Sequence, residues 1–283
     1  MWFRYRLIRP IGVLVGGMKR FNLKISGVEN VPEYGPCIVV SNHQSYTDPV
    51  AEAIALQPLC RHRHMWPWAK AEIEKGTEGL LAWCLWKFFG VIPINREFEN
   101  PNEPIEMSLK YLRRGEAVLI YPEGGRSPAK KLRPFQYGVA NLARAVPAPI
   151  LPVVTYRRDS DGGIQVTIGK PFFLPARKKK YELFEAIEEK VEDQLGHQID
   201  TFQQWAASLP RDKKGMKLMS KMIRLINDFV AKQGINFDYF YKMAEWEDNE
   251  YIRDKIFELL PEGWEKIEED NKPRPRLPIK KKG

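Results

Sequence analysis

The chain reads as an α/β domain, a central, largely parallel or mixed sheet flanked by helices, with an N-terminal interfacial helix and a helical C-terminal extension. Three observations predict this. Short β-rich or apolar runs alternate with helical patterns over residues 25–195. Of the 283 residues 43% are apolar and 12% aromatic, which supplies a sizeable core and excludes a disordered chain. Beyond Gly196 the pattern turns helical only.

Strands are predicted at Cys37–Ser41, Met65–Ala69, Val91–Ile94, Ala117–Tyr121, Ile150–Tyr156 and Ile164–Ile168, each edged by Gly, Pro or charge. Helices are predicted between most of them, at Val50–Leu56, Gly79–Phe89, Glu103–Arg113, Gln136–Ala145 and Tyr181–Leu195. In the extension, Met216, Met219, Ile223, Ile226 and Val230 share one stripe with Lys213, Lys217, Lys221 and Arg224 around it. The chain therefore divides into a basic amphipathic segment (1–24), the α/β domain (25–195), the helical extension (196–270) and a Pro- and Lys-rich tail (271–283) read as an extended, solvated arm.

Charge is confined to the ends. The net charge is +9, yet residues 1–24 and 272–283 each carry +6 and no acid, leaving −3 for residues 25–271. A nucleic-acid-binding body would show the opposite distribution, so no nucleic-acid partner is expected. Three scattered cysteines, Cys37, Cys60 and Cys84, fit neither a disulfide framework nor a four-cysteine zinc site and point to a reducing compartment. Cys60, His62 and His64 alternate and would share one face of a strand, but no fourth ligand lies nearby and no metal is expected. No cleavage pattern of a signal peptide follows the N-terminal apolar run, and no run is long enough to span a bilayer.

The chemistry-bearing segment is Asn42-His43-Gln44-Ser45-Tyr46-Thr47-Asp48, directly after the strand at 37–41, where α/β proteins keep their ligands. Residues five apart lie about 140° from each other on a helix, so His43 meets Asp48 only if His43 precedes the helix start. Ser45 could cap that helix with Asp48 completing a capping box, or Asp48 could itself be the N-cap with Pro49 at N1. The spacing alone is common by chance; its company decides.

That company is Tyr121-Pro122-Glu123-Gly124-Gly125-Arg126-Ser127-Pro128, at the end of the strand 117–121. Paired glycines allow the backbone to turn with N–H groups exposed, and the Arg126 fork suits a phosphate. An ordinary strand-end turn with Glu123 paired to Arg126 would read the same way. Gly90-Val91-Ile92-Pro93-Ile94-Asn95-Arg96 ends another buried strand on a basic residue.

The order N-H-x4-D, K-x-E, G-x-x-x-I-x-R, P-E-G-x-R and a Pro-containing apolar strand resembles the lysophosphatidic acid acyltransferase family of glycerolipid acyltransferases, over about residues 25–175. The resemblance implies that His43 is the general base for an acceptor hydroxyl and Asp48 orients it. It assigns Glu123, Gly124, Gly125 and Arg126 to the acceptor's glycerol phosphate, and it matches Arg96 and Lys70 to the family's other basic positions. The chain departs at Gly125, where the family usually has Thr, and at Pro93, where it usually has an aromatic residue. No cofactor is implied; the donor would be an acyl thioester, acyl-CoA or acyl carrier protein. The acceptor would be 1-acylglycerol-3-phosphate, glycerol-3-phosphate or another lysophospholipid. Consistent with direct attack by the acceptor, no G-x-S-x-G elbow occurs in the chain.

Such an enzyme must reach a bilayer. Residues 1–24, with Trp2, Phe3, Leu7, Ile8 and Phe21 among six cations, suit an interfacial helix on an anionic leaflet, and residues 79–89 are apolar on nearly every face except Lys87. A peripheral or monotopic protein on the cytoplasmic face follows. Two other classes stay open: a non-enzymatic anionic-membrane binder, and a hydrolase using the same His-Asp pair.

Overall fold

A computed structural model describes residues 22–71, 90–94, 103–136, 138–177 and 237–268. Two compact units divide the chain, Met1–Leu174 with Glu247–Asn271, and Pro175–Trp246 with Lys272–Gly283. The sheet and the candidate site belong to the first.

In chain order the strands are β1 (Lys24–Ser26), β2 (Cys37–Ser41), β3 (Met65–Lys70), β4 (Ile92–Ile94), β5 (Ala117–Ile120), β6 (Lys131–Leu132), β7 (Ile150–Arg157), β8 (Ile164–Ile168) and β9 (Glu265–Lys266). The described helices are α1 (Asp48–Ala55), α2 (Glu103–Leu112), α3 (Gly138–Ala145) and α4 (Phe237–Phe257). Seven strands form one mixed sheet in the order β1-β8-β7-β2-β5-β3-β4. All neighbours pair in parallel except β7 and β8, which run antiparallel, so β1 and β8 oppose the other five. The expected α/β architecture is present.

Central strand β2 is buried along its whole length, as a parallel strand covered on both faces must be. Its alternating side chains separate two cores. Cys37 and Val39 pack with Ala51, Ile54 and Ala55 of α1, while Ile38 and Val40 pack with Leu112 of α2, Val139 and Leu142 of α3 and Ile252 and Ile256 of α4. The result is a sheet between α1 on one face and α2, α3 and the C-terminal part of α4 on the other.

Ile252 and Ile256 are fully buried, so part of the segment assigned to a separate extension at 196–270 joins the sheet's own core. Arg253, 3% exposed, donates through Nη2 to the carbonyls of Leu132 (2.9 Å) and Ile267 (2.8 Å). It thereby ties α4 to the small parallel sheet of β6 and β9. Arg144 of α3 bonds Asp248 of α4 through Nε at 2.8 Å.

Cys60, His62 and His64 do not share a strand face. Cys60 lies in a short 3-10 helix, Leu59–Arg61; His62 stacks on Tyr34 and sits 3.6 Å from Glu33, and His64 lies against Trp66. Among the described residues no cluster suits a metal ion, and no helix is long and apolar enough to cross a membrane. Residues 1–21, 79–89 and 181–195, the 216–230 stripe, Arg96 and the tail beyond 271 lie outside the described residues.

Candidate active site

Strands β2 and β5 are parallel neighbours in register, Val40 opposite Ile120, so the loops that follow them leave the same edge of the sheet. This is the edge at which α/β proteins bind ligands. The first loop carries His43 and leads into α1; the second carries Glu123 and Arg126.

Asn42 starts the first loop by extending the β-ladder with its side chain. Its amide donates to the Thr155 carbonyl (3.0 Å) and accepts from the Thr155 N–H (2.8 Å), anchoring the loop to β7. Asp48 then closes the turn. Its Oδ2 accepts the N–H groups of Gln44 and Ser45, both at 2.7 Å, and lies 3.2 Å from Nδ1 of His43. The helix begins with Thr47 at the N-cap, Asp48 in the first turn and Pro49 beside it, which differs from both expected caps. Of the expected capping box only the Asp48 half forms, with the Ser45 N–H donating to Asp48 Oδ2, while Ser45 Oγ accepts the Thr47 N–H at 3.3 Å in place of the Asp48 N–H. Because the turn precedes the helix, His43 and Asp48 meet despite their five-residue spacing.

The two loops are bonded to each other through His43. Its N–H donates to Glu123 Oε1 (2.7 Å), and its carbonyl accepts the Ser127 N–H (2.7 Å). Gln44 donates through its side chain to the Pro128 carbonyl at 3.0 Å. Glu123, 4% exposed, also accepts from the Ser127 hydroxyl and from the Arg133 N–H (2.9 Å). Burial raises its carboxyl above the usual carboxylate range, opposed by these hydrogen bonds. Glu123 thus acts as a strut between the two loops, and among the described residues it makes no bond to Arg126, which corrects the reading as a turn in which the two pair.

Gly124 has φ +67°, a backbone state that disfavours any side chain, and its N–H is already given to the Tyr121 carbonyl at 3.1 Å. Gly125, in the same loop, is half-buried and has no left-handed φ. Arg126 is exposed, with its guanidinium carbon 3.7 Å from the centre of the Tyr46 ring. The guanidinium thus lies over the ring face in a cation–π contact. Lys70 ends β3 opposite Ile94 and is exposed.

One further residue packs on His43 and a second supports it. The Tyr121 ring packs on the imidazole, centroids 4.5 Å apart, and its hydroxyl donates to Glu52 Oε2 at 2.7 Å. Glu52 stands one turn after Asp48 on α1, is completely buried, and takes Ser41 Oγ (2.7 Å) and Thr155 Oγ1 (2.9 Å) on Oε1. Burial, reinforced by the nearby Asp48 carboxylate, pushes its carboxyl up to about 8. The same burial and the Glu52 carboxyl push the Tyr121 phenol well above its ordinary value. Sequence reasoning missed this pair. The available signal was an acid on the otherwise apolar face of Val50–Leu56.

Residues 22–156 match the family model described as Acyltransferase. Among curated proteins, the chain is 32% identical over 150 residues to the 1-acyl-sn-glycerol-3-phosphate acyltransferase beta of Homo sapiens, covering 51% of each chain. It is 25% identical over 166 residues to the chloroplastic 1-acyl-sn-glycerol-3-phosphate acyltransferase BAT2 of Brassica napus, covering 54% of this chain and 46% of that one. A solved structure of the 1-acyl-sn-glycerophosphate acyltransferase PlsC from Thermotoga maritima covers 61% of this chain and 70% of its own, at 21% identity and a TM-score of 0.40. The chain spans about half the length of the curated relatives it matches. The N-H-x4-D and P-E-G-x-R segments lie inside the span that matches the Acyltransferase model, and over that span the chain is similar to 1-acyl-sn-glycerol-3-phosphate acyltransferases.

Proposed function

We propose that the chain transfers a fatty acyl group from an acyl thioester, acyl-CoA or acyl carrier protein, to the free hydroxyl of 1-acylglycerol-3-phosphate, giving phosphatidic acid. The observation that carries this reading is the orientation of His43. Nδ1 faces a carboxylate oxygen that also accepts two backbone N–H bonds, so Nδ1 carries the proton and Nε2 keeps its lone pair. Nε2 has no hydrogen-bond partner among the described residues.

An imidazole held this way takes the acceptor's hydroxyl proton as the oxygen attacks the thioester carbonyl, and the carboxylate stabilises the imidazolium that forms. Collapse of the tetrahedral adduct breaks the C–S bond; the imidazolium then returns its proton to the departing thiolate. No protein nucleophile enters. Arg126, braced by Tyr46, would hold the acceptor phosphate and so place the hydroxyl, with Lys70, Arg96 and the loop at Gly124 and Gly125 adding to that subsite. The basic segment 1–24 would bring the protein to the cytoplasmic face of an anionic membrane.

The test is purified protein with labelled acyl-CoA or acyl carrier protein and a panel of lysophospholipids and glycerol-3-phosphate, products read by mass spectrometry. Phosphatidic acid from the lysophosphatidic acid reaction is the expected product. Free fatty acid released at a rate independent of acceptor would make the protein a hydrolase.

A further inference from the structure

Resting on that reading of His43, we propose that Glu52 and Tyr121 are positioning residues for the base: the buried carboxyl fixes the phenol, the phenol ring fixes the imidazole, and the protonation of Glu52 is sensed at His43. The placement follows from strand periodicity. Side chains two apart share a sheet face, so Ser41 of β2, Tyr121 after β5 and Thr155 of β7 all point to the α1 side with Val39, Leu119 and Val153. Their three hydroxyls converge on Glu52, which α1 delivers to the same point. A lone acid in that position ties one helix to three parallel strands directly beneath the catalytic loop.

The network is polar on every side. Facing Glu52 are Asp48 from its own helix, the phenol of Tyr121 from β5, and the neutral hydroxyls of Ser41 and Thr155 from β2 and β7; His43 touches both Asp48 and Tyr121. Among these groups no cation offsets a second negative charge, so Glu52 is held up to about 8 and, while protonated, donates to one of the three hydroxyls that otherwise donate to it. Ionisation then places an anion one turn from Asp48 and under the tyrosine that supports the imidazole. His43 responds because an added negative charge favours its imidazolium.

The readout independent of catalysis is NMR of the His43 ring protons, identified by their absence in His43→Ala. In the native protein they shift in a step near pH 8. Glu52→Gln removes that step. Tyr121→Phe keeps the ring, deletes one bond that favours the carboxylate, and moves the step to higher pH; this variant serves if Glu52→Gln fails to fold by circular dichroism. Both variants also lower kcat about 10- to 100-fold with the acceptor KM unchanged, the mark of a misplaced base. A native His43 signal with no step, or a step unaltered in Glu52→Gln, overturns the proposal. Transfer that survives His43→Ala while the coupled titration persists would instead overturn the catalytic reading alone.

Discussion

Two polar networks in this unit use the same ingredients to different ends. Around Asp161, at the β7–β8 turn, Arg158 Nε donates at 2.9 Å, the Asn22 side-chain amide at 3.0 Å, and Lys24 stands 3.8 Å away with its side chain 61% exposed. Around His43, Asp48 and Glu123 are 3% and 4% exposed, and their partners are mostly backbone N–H groups. In the first network Asp161 is 33% exposed, so water is a ready substitute for a lost partner there, although Arg158 is only 10% exposed. The second has no such substitute, so each bond there fixes a geometry. On the proposed reading, the chemistry sits where polar bonds join two loops below the surface, not where charges are most numerous.

Breaking the inner network where it orients the base should have the largest effect. Asp48→Asn keeps shape but removes the charge on Nδ1 and is expected to lower kcat about 10³- to 10⁴-fold with native circular dichroism. Next, Glu123→Ala strands the N–H groups of His43 and Arg133 and should lower unfolding free energy by about 2–4 kcal/mol in a urea titration. Arg126→Ala, at the exposed rim, should raise the acceptor KM about 10- to 100-fold and leave donor KM unchanged. At the weak end, Asp161→Asn should lower the urea midpoint only slightly, since its partly exposed ion pairs are screened by solvent, and leave transfer at pH 7 unchanged.

The two networks also differ in the sign of their pH response. Glu52 is raised from 4.5 to about 8 on folding, so its contribution is complete below 4.5 and is lost as pH rises through about 8. Asp161 is lowered from 3.8 to about 2 by its bond from Arg158, so its contribution is present above 3.8 and is lost as pH falls through about 2. Urea midpoints taken from pH 5 to 9 should therefore fall from pH 5 to about 8 and level off above it in the native protein, and stay flatter in Glu52→Gln. Equal slopes would remove the distinction between the networks.

Legibility in the sequence followed the range of the interactions. The buried strands Cys37–Ser41 and Ile164–Ile168 match their predicted bounds, because apolar periodicity is a local signal. Lys24–Ser26 and the two-residue strands β6 and β9 carry no such signal; pairing with Gln165–Thr167 and with each other defines them. Helix α1 starts two residues before its predicted bound, since Asp48 and Pro49 are polar or rigid yet suit a first turn. His43, Asp48 and the glycine-rich loop were legible as motifs, and the structure brings them to one edge. The strut role of Glu123 was not legible, because its partners lie 80 residues away at His43 and on its own loop's backbone. For Glu52 and Tyr121 the one local signal was an acid on an apolar helix face; their pairing was not legible, because three strands must assemble before three hydroxyls meet one acid.

The most direct measurement is phosphatidic acid formation by the full chain and by its His43→Ala variant, from labelled acyl-CoA and 1-acylglycerol-3-phosphate at saturating concentrations. Loss of product by at least about 10³-fold with an unchanged fold is the expected result. Equal product from both proteins would contradict the assignment of His43 as the base.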